Sequence, residues 1–375
     1  MRCSAGHIMC SLLLVFFMCV VLASETTTSV LSASTNSTHT TGTGNDTTNP
    51  NPKKWNFLSD DDNDILTKTA MSVAALGALL NFIVIIVMTL DPLKILRKGH
   101  AWITILNLAI ADFISCVFGF CLFGRKYFAK SHDYDLIYKR INAFGWGFGS
   151  AASFFVLTFF MVQIFAITKF PLKSRSWFQT RKVVSIIIVI WFLAFLLGLC
   201  YVASEFFTGI ETIFNIYITR IAILQVAVLV QLILNIQVVV EIVRSGRNVG
   251  NPQNKHKVLA ITVIILTTIL FFTAFPYFTI KQLEFIARSG RLGDDKWQDI
   301  FLDLSRIYLP IALLNFAVNP ILYSLRLPDY RRTLVVLVCK RQRKKFSPMT
   351  ATSTKQTNVF SLRSQRTSDN SREKK

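Results

Sequence analysis

Residues 182–204 read KVVSIIIVIWFLAFLLGLCYVAS, with no charged side chain after Lys182. The stretch exceeds the roughly 20 apolar residues that a helix needs to cross a bilayer. Six further segments share this character, at 65–90, 101–124, 140–168, 214–243, 257–283 and 299–325. Segments this long must be helical in lipid, because each backbone N–H and C=O there needs a partner within its own segment. The pattern predicts an all-α integral membrane protein, a seven-transmembrane helix bundle spanning residues 61–326. Composition agrees. Hydrophobic residues make up 52% of the 375, and the mean hydropathy is +0.46, against about 45–50% apolar content in soluble domains.

The flanking sequence predicts topology. Arg2 followed by the apolar run 11–22 and the small residue Ala23 reads as a signal peptide, residues 1–23, with an uncleaved anchor as the alternative. Residues 24–60 are rich in Ser, Thr, Asn and Gly, a composition with little to bury, and so predict a disordered extracellular tail. Its sequons place candidate glycosylation at Asn36 and Asn45. An odd number of spans then puts the C-terminus in the cytoplasm, and the expected location is the plasma membrane. Lys94, Arg97 and Lys98, then Lys169 and Lys173, then Arg244 and Arg247 follow the first, third and fifth spans, as the positive-inside rule requires. One outer loop opposes it, with Arg125, Lys126, Lys130, Lys139 and Arg140.

The net charge is +20, and the chain from Arg326 onward holds much of it. On a membrane protein this implies attraction to anionic lipid rather than to nucleic acid. Residues 327–340 predict a short amphipathic helix with Leu334, Val335, Val336, Leu337 and Val338 lying on the membrane. Cys339 just beyond is a candidate for palmitoylation, with a plain thiol the alternative. Residues 341–375 read as a disordered cytoplasmic tail. The seven cysteines show no metal-site spacing. No nucleophile–base pair or phosphate loop points to an enzyme.

Polar groups inside apolar spans are costly and mark function or helix packing. Asp112 lies mid-span in the second segment, Ser153 in the third, Asn81 in the first, and Asn315 and Asn319 on one face of the seventh. If these faces meet, their oxygens form either a site for a small hard cation or an interhelical hydrogen-bond network. Pro276 and Pro320 interrupt the sixth and seventh segments and predict hinges.

These residues resemble the rhodopsin-like class of G-protein-coupled receptors over about residues 65–340. The resemblance rests on four features in order: Asn81 after Gly77, Leu108-Ala109-Ile110-Ala111-Asp112, Trp191, and Asn319-Pro320-Ile321-Leu322-Tyr323. It implies an extracellular ligand site, a cytoplasmic site for a heterotrimeric G protein or arrestin, and a sodium pocket of Asp112, Ser153, Asn315 and Asn319. Asn81, Pro276, Pro320 and Tyr323 would form the activation hinge and switch. No other cofactor is implied. The departures are equally specific. Gln163, Ile164 and Phe165 stand on the G-protein face where most members carry Asp-Arg-Tyr, and Ala274 replaces the usual Trp. No cysteine suits the usual disulfide, which leaves Cys121 and Cys200 as an alternative pair.

The ligand is constrained by exclusion. Leu313 holds the place of the retinal-binding Lys, and Trp146 that of the amine-binding Asp, so neither retinal nor a monoamine is expected. Trp146, Tyr277, Phe278, Tyr308 and Arg306, with Arg220 and Lys281 nearby, predict an aromatic pocket with cationic groups. It would suit a peptide, a lipid or an acidic small molecule. The function expected is a receptor that signals an extracellular ligand to a G protein. The missing Asp-Arg-Tyr makes a decoy or scavenging receptor the alternative, and a transporter or channel a more distant one.

Overall fold

A computed structural model describes residues 58–98, 101–128, 132–203, 210–248, 254–289, 295–326 and 328–338. The expected signal peptide, Asn36, Asn45, Cys339 and the tail 341–375 lie outside these residues, and so does the side chain of Tyr323.

Among the described residues there is no strand, and seven long helices carry the fold. They are α1 (Asp60–Leu90), α2 (Ala101–Phe123), α3 (His132–Lys169), α4 (Thr180–Tyr201), α5 (Ile210–Asn248), α6 (Asn254–Arg288) and α7 (Asp295–Arg326). A shorter helix, α8 (Pro328–Val338), follows. Six of the long helices, all but α6, are long and apolar enough over described residues to cross a membrane. The expected span 257–283 falls within α6, part of whose side chains lie outside the described set.

Local chemistry sets the ends. Ser59 accepts a hydrogen bond from the Asp62 backbone at 3.1 Å while the Asp62 carboxylate accepts one from the Ser59 N–H at 3.1 Å, so two orphan donors of α1 are met reciprocally. Asp60, Asp61 and Asp62 also complement the positive end of the helix dipole. At the other end Asp91 takes a φ of 28° ahead of Pro92, and its carboxylate accepts from the Ile95 and Arg97 N–H groups at 3.3 and 3.4 Å.

The environment is legible in α4. Val183, Ile187, Ile190, Ala194 and Leu197 are buried at helical spacing, yet Ile188 and Phe192 on the other face remain 63% and 61% exposed. A helix that is apolar on all sides has no stable place in water. The same outward apolar surface recurs at Leu79, Ile233, Ile236 and Phe272, far beyond the isolated exposed apolar residues of a soluble surface. The architecture is that of an all-α, multi-pass membrane protein.

The bundle is a ring in chain order: α1 packs on α2 and α7, α2 on α3, α3 on α4 and α5, α5 on α6, and α6 on α7. In α3, 67% of the most apolar window is buried, against 33% in α4 and α5, so α3 forms the axis. Glycine permits its close approach to α2. A Cβ at Gly149 would lie 2.6 Å from the Ser115 backbone nitrogen, and one at Gly145 would lie 2.2 Å from the Phe118 ring.

Two expectations change. α3 starts at His132 rather than near residue 140, because charge ends a hydropathy run without ending a helix. Lys139 and Arg140 are therefore helical, not part of a loop. The apolar face of α8 does not lie open to lipid. Tyr330, Leu334, Val335 and Val336 are buried, and α8 packs back on α7 and α1.

Candidate functional site

On α2, Leu108, Ala111, Asp112 and Ser115 share the buried face that meets α3 and α7. Asp112 is fully buried. Ser153 of α3 donates its hydroxyl to Asp112 Oδ1 at 2.5 Å, and Asn319 of α7 donates Nδ2 to Asp112 Oδ2 at 2.6 Å. One carboxyl group thus joins three helices through two short side-chain hydrogen bonds.

Asn81 extends the centre to α1. Its Nδ2 donates to the Phe316 and Gly77 carbonyls, both at 2.9 Å. The Phe316 carbonyl would ordinarily accept from residue 320, but Pro320 has no N–H. Asn81 supplies the missing donor. The same substitution occurs at the other proline. Pro276 leaves the Phe272 carbonyl of α6 without its helical partner, and the Tyr308 hydroxyl of α7 donates to it at 2.6 Å. A third proline inside a helix, Pro310, was not singled out from the sequence.

Other buried polar atoms of these helices are left over: the acceptors Asn319 Oδ1 and Asn81 Oδ1 and the donor Asn315 Nδ2 have no hydrogen-bond partner. A carboxylate, a hydroxyl and amide oxygens form a hard donor set that fits a small cation such as sodium.

Toward the other end of the same helices, between the start of α3 and α5, the close of α2, α4 and α6, and Ala312 and Phe316 of α7, lies a cavity of about 600 Å³. Trp146, Phe154, Ala274, Phe278 and Phe316 form an apolar floor, tied by ring contacts: Trp146 to Phe316 at 5.7 Å and Phe154 to Phe278 at 5.2 Å. Lys139, Arg140, Arg220, Lys281 and Arg288 also line it, and among the described residues no acidic side chain does. Glu284, buried behind the lining, pairs with Lys281 at 2.7 Å and with Arg288 at 3.7 Å.

Arg220 differs from these. It is 6% exposed, its guanidinium lies 4.4 Å from the Tyr201 ring, and its Nε has no hydrogen-bond partner. The cation–π contact contributes about 2 kcal/mol at best when desolvated. Burying an unpaired charge costs several kcal/mol, so the ring alone does not offset it.

Of the expected pocket residues, Trp146, Tyr277 and Phe278 line the cavity, together with Arg220 and Lys281. Tyr308 and Arg306 do not. Tyr308 is engaged by the Phe272 carbonyl in the α6–α7 seam, and Arg306 reaches Asp303 at 3.2 Å and Asn63 of α1 at 3.1 Å. Cys121 and Cys200 are free thiols. Their bridge is not formed, and Tyr138 of α3 instead holds the Cys121 carbonyl through a 3.0 Å bond. Gln163 and Ile164, expected on a protein-binding face, are each 2% exposed, and Phe165 is half-buried. Thr104 of α2 donates to Gln163 at 3.0 Å. Trp191 donates to Asn107 at 2.9 Å, tying α4 to α2.

Sequence reasoning missed Gln231 and Asn235. Gln231 donates to the Phe154 carbonyl and the Thr158 hydroxyl at 3.0 and 2.7 Å, and Asn235 donates to the Ile264 carbonyl at 3.2 Å. Two amides four residues apart in an apolar span were the available signal. No protein-family model matches the chain, and no curated protein matches it.

Proposed function

We propose that this chain is a seven-helix receptor of the rhodopsin-like G-protein-coupled type, taking an extracellular ligand into the cavity and signalling to a heterotrimeric G protein. One observation supports this most: the Asp112–Ser153–Asn319 junction of α2, α3 and α7 lies within one helical turn, along α3 and α7, of Ser150, Phe154 and Phe316, which line an open ligand-sized cavity. In this reading α6 is the sixth of seven spans, the cavity end is extracellular, and α8 is cytoplasmic, in the plasma membrane.

The route between the two regions is Phe316. Its ring forms part of the cavity floor, while its carbonyl is held by Asn81 one turn before Asn319. A ligand that presses on Trp146 or Phe316 displaces the stretch of α7 that Pro320 has already weakened. Ligands that bind one arrangement better shift the population toward it. Pro276 and Pro320 act as hinges whose orphan carbonyls are clamped by Tyr308 and Asn81. A sodium ion held by Asp112, Ser153, Asn315 and Asn319 would supply positive charge opposite the carboxylate.

A specific observation favours a second reading. Ile164 lies buried in the core where coupling receptors present an arginine, which fits a scavenging or decoy receptor that internalises ligand without nucleotide exchange. The experiment is a panel of G proteins with the full chain, scored for nucleotide exchange with and without tissue extract, beside arrestin recruitment and uptake. Exchange that Asn319→Ala changes supports signalling. Uptake without exchange, in the wild type and in Ile164→Arg alike, supports the decoy.

A further inference from the structure

We propose that the cavity binds an amphiphilic organic anion, its carboxylate or phosphate head paired with Arg220 and its apolar body against Phe154, Phe278 and Phe316. The proposal rests on the cavity being the ligand site of the receptor described above, and it assigns the class of ligand.

Arg220 carries the inference. It is the one cation of the lining that is nine-tenths buried with a side-chain N–H left without a partner, and no carboxylate among the described residues pairs with it. Lys281 and Arg288 already share Glu284. A guanidinium is a planar fork that takes carboxylate or phosphate oxygens through two parallel bonds. The Tyr201 ring lies 4.4 Å from the guanidinium and takes none of its N–H donors, and Nε has no hydrogen-bond partner. The floor is aromatic and aliphatic, so the head alone does not fill the space. A volume of about 600 Å³ falls within the range of small-molecule sites. Lys139 and Arg140 at the start of α3 add positive potential at the cavity, which raises the local concentration of an anion.

The test uses the full-length protein in nanodiscs of zwitterionic phosphatidylcholine and four probes. Laurate and dodecyl phosphate share a tail and differ in head. Dodecanol has the tail without charge, and inorganic phosphate has the charge without a tail. Saturable binding of laurate or dodecyl phosphate is expected, with dodecanol and inorganic phosphate each at least tenfold weaker. The tighter of the two anions identifies the head. Arg220→Gln should weaken the anion tenfold or more and leave dodecanol unchanged. The unliganded Arg220→Gln protein should melt no lower than wild type, because a buried unpaired charge has been removed. Equal binding of dodecanol and laurate, or no effect of Arg220→Gln, overturns the proposal. So does a lower melting temperature of unliganded Arg220→Gln, which would make Arg220 a structural partner. Anion binding without any exchange or uptake would refute the receptor and leave the site standing. Exchange driven by extract and indifferent to Arg220→Gln would do the reverse.

Discussion

Two buried polar regions lie along the same helices and are built differently. Around Asp112 the carboxyl group is met from within: Ser153 and Asn319 donate at 2.5 and 2.6 Å from separate helices. Around Arg220 the charge is not met, and an aromatic ring substitutes for an anion. A buried polar group that the fold satisfies holds the fold together. A charge left without a counter-ion weakens the fold and so marks a place where something else binds. The lesson is to ask of each buried charge whether its partner is already in the chain.

The contrast can be broken from the Asp112 side first. Gly149→Leu places a branched side chain where even a Cβ would sit 2.6 Å from the Ser115 backbone. Overpacking of about 3 kcal/mol should force α2 from α3, seen as loss of monodisperse folded protein on size exclusion. A leucine at 149 that melts like wild type would contradict the packing. Asn319→Leu removes one donor from the carboxylate and should cost about 2 kcal/mol, read as a lower midpoint in thermal unfolding, with Asn319→Asp unable to restore it. Tyr308→Phe tests the clamp on the Pro276 kink. It removes a single neutral interhelical bond, worth about 0.6 kcal/mol in membrane bundles, and should also speed amide exchange in α6 near Phe272. Smallest of all is Arg306→Gln. That side chain is 45% exposed in its pair with Asp303, so stability should change by at most about 0.5 kcal/mol and ligand binding not at all. An Arg306 effect on binding as large as that of Arg220→Gln would erase the distinction drawn between them.

Much of the fold was legible because hydropathy and helix length are local properties. The convergence of Asp112, Ser153 and Asn319 was legible too, since few reasons other than a shared contact put three polar groups at mid-span. The cavity was less so. Lys139 and Arg140 read as a loop because charge ends a hydropathy window, yet α3 continues through them from His132. Two of the cations that conflicted with the positive-inside pattern, Lys139 and Arg140, line the cavity. Tyr308 was assigned to the ligand because it is aromatic and near the mouth. Its actual partner is a carbonyl freed by a proline on another helix, and which residue faces which helix depends on rotations that no single segment encodes. The burial of Leu334 and Val335 was misassigned for the same reason: an apolar face looks alike whether lipid or α7 covers it.

Parity decides the account most directly. With α6 counted as a span, seven crossings put the two chain ends on opposite sides of the membrane; with only the six that length and hydropathy support among the described residues, the ends share a side. Epitope tags inserted after residue 23, behind the expected signal peptide, and at the C-terminus, probed with antibody in intact and permeabilised cells, measure this without a ligand. The account predicts that the N-terminal tag is stained in intact cells and the C-terminal tag only after permeabilisation. Both tags stained in intact cells, or neither until permeabilisation, would contradict it.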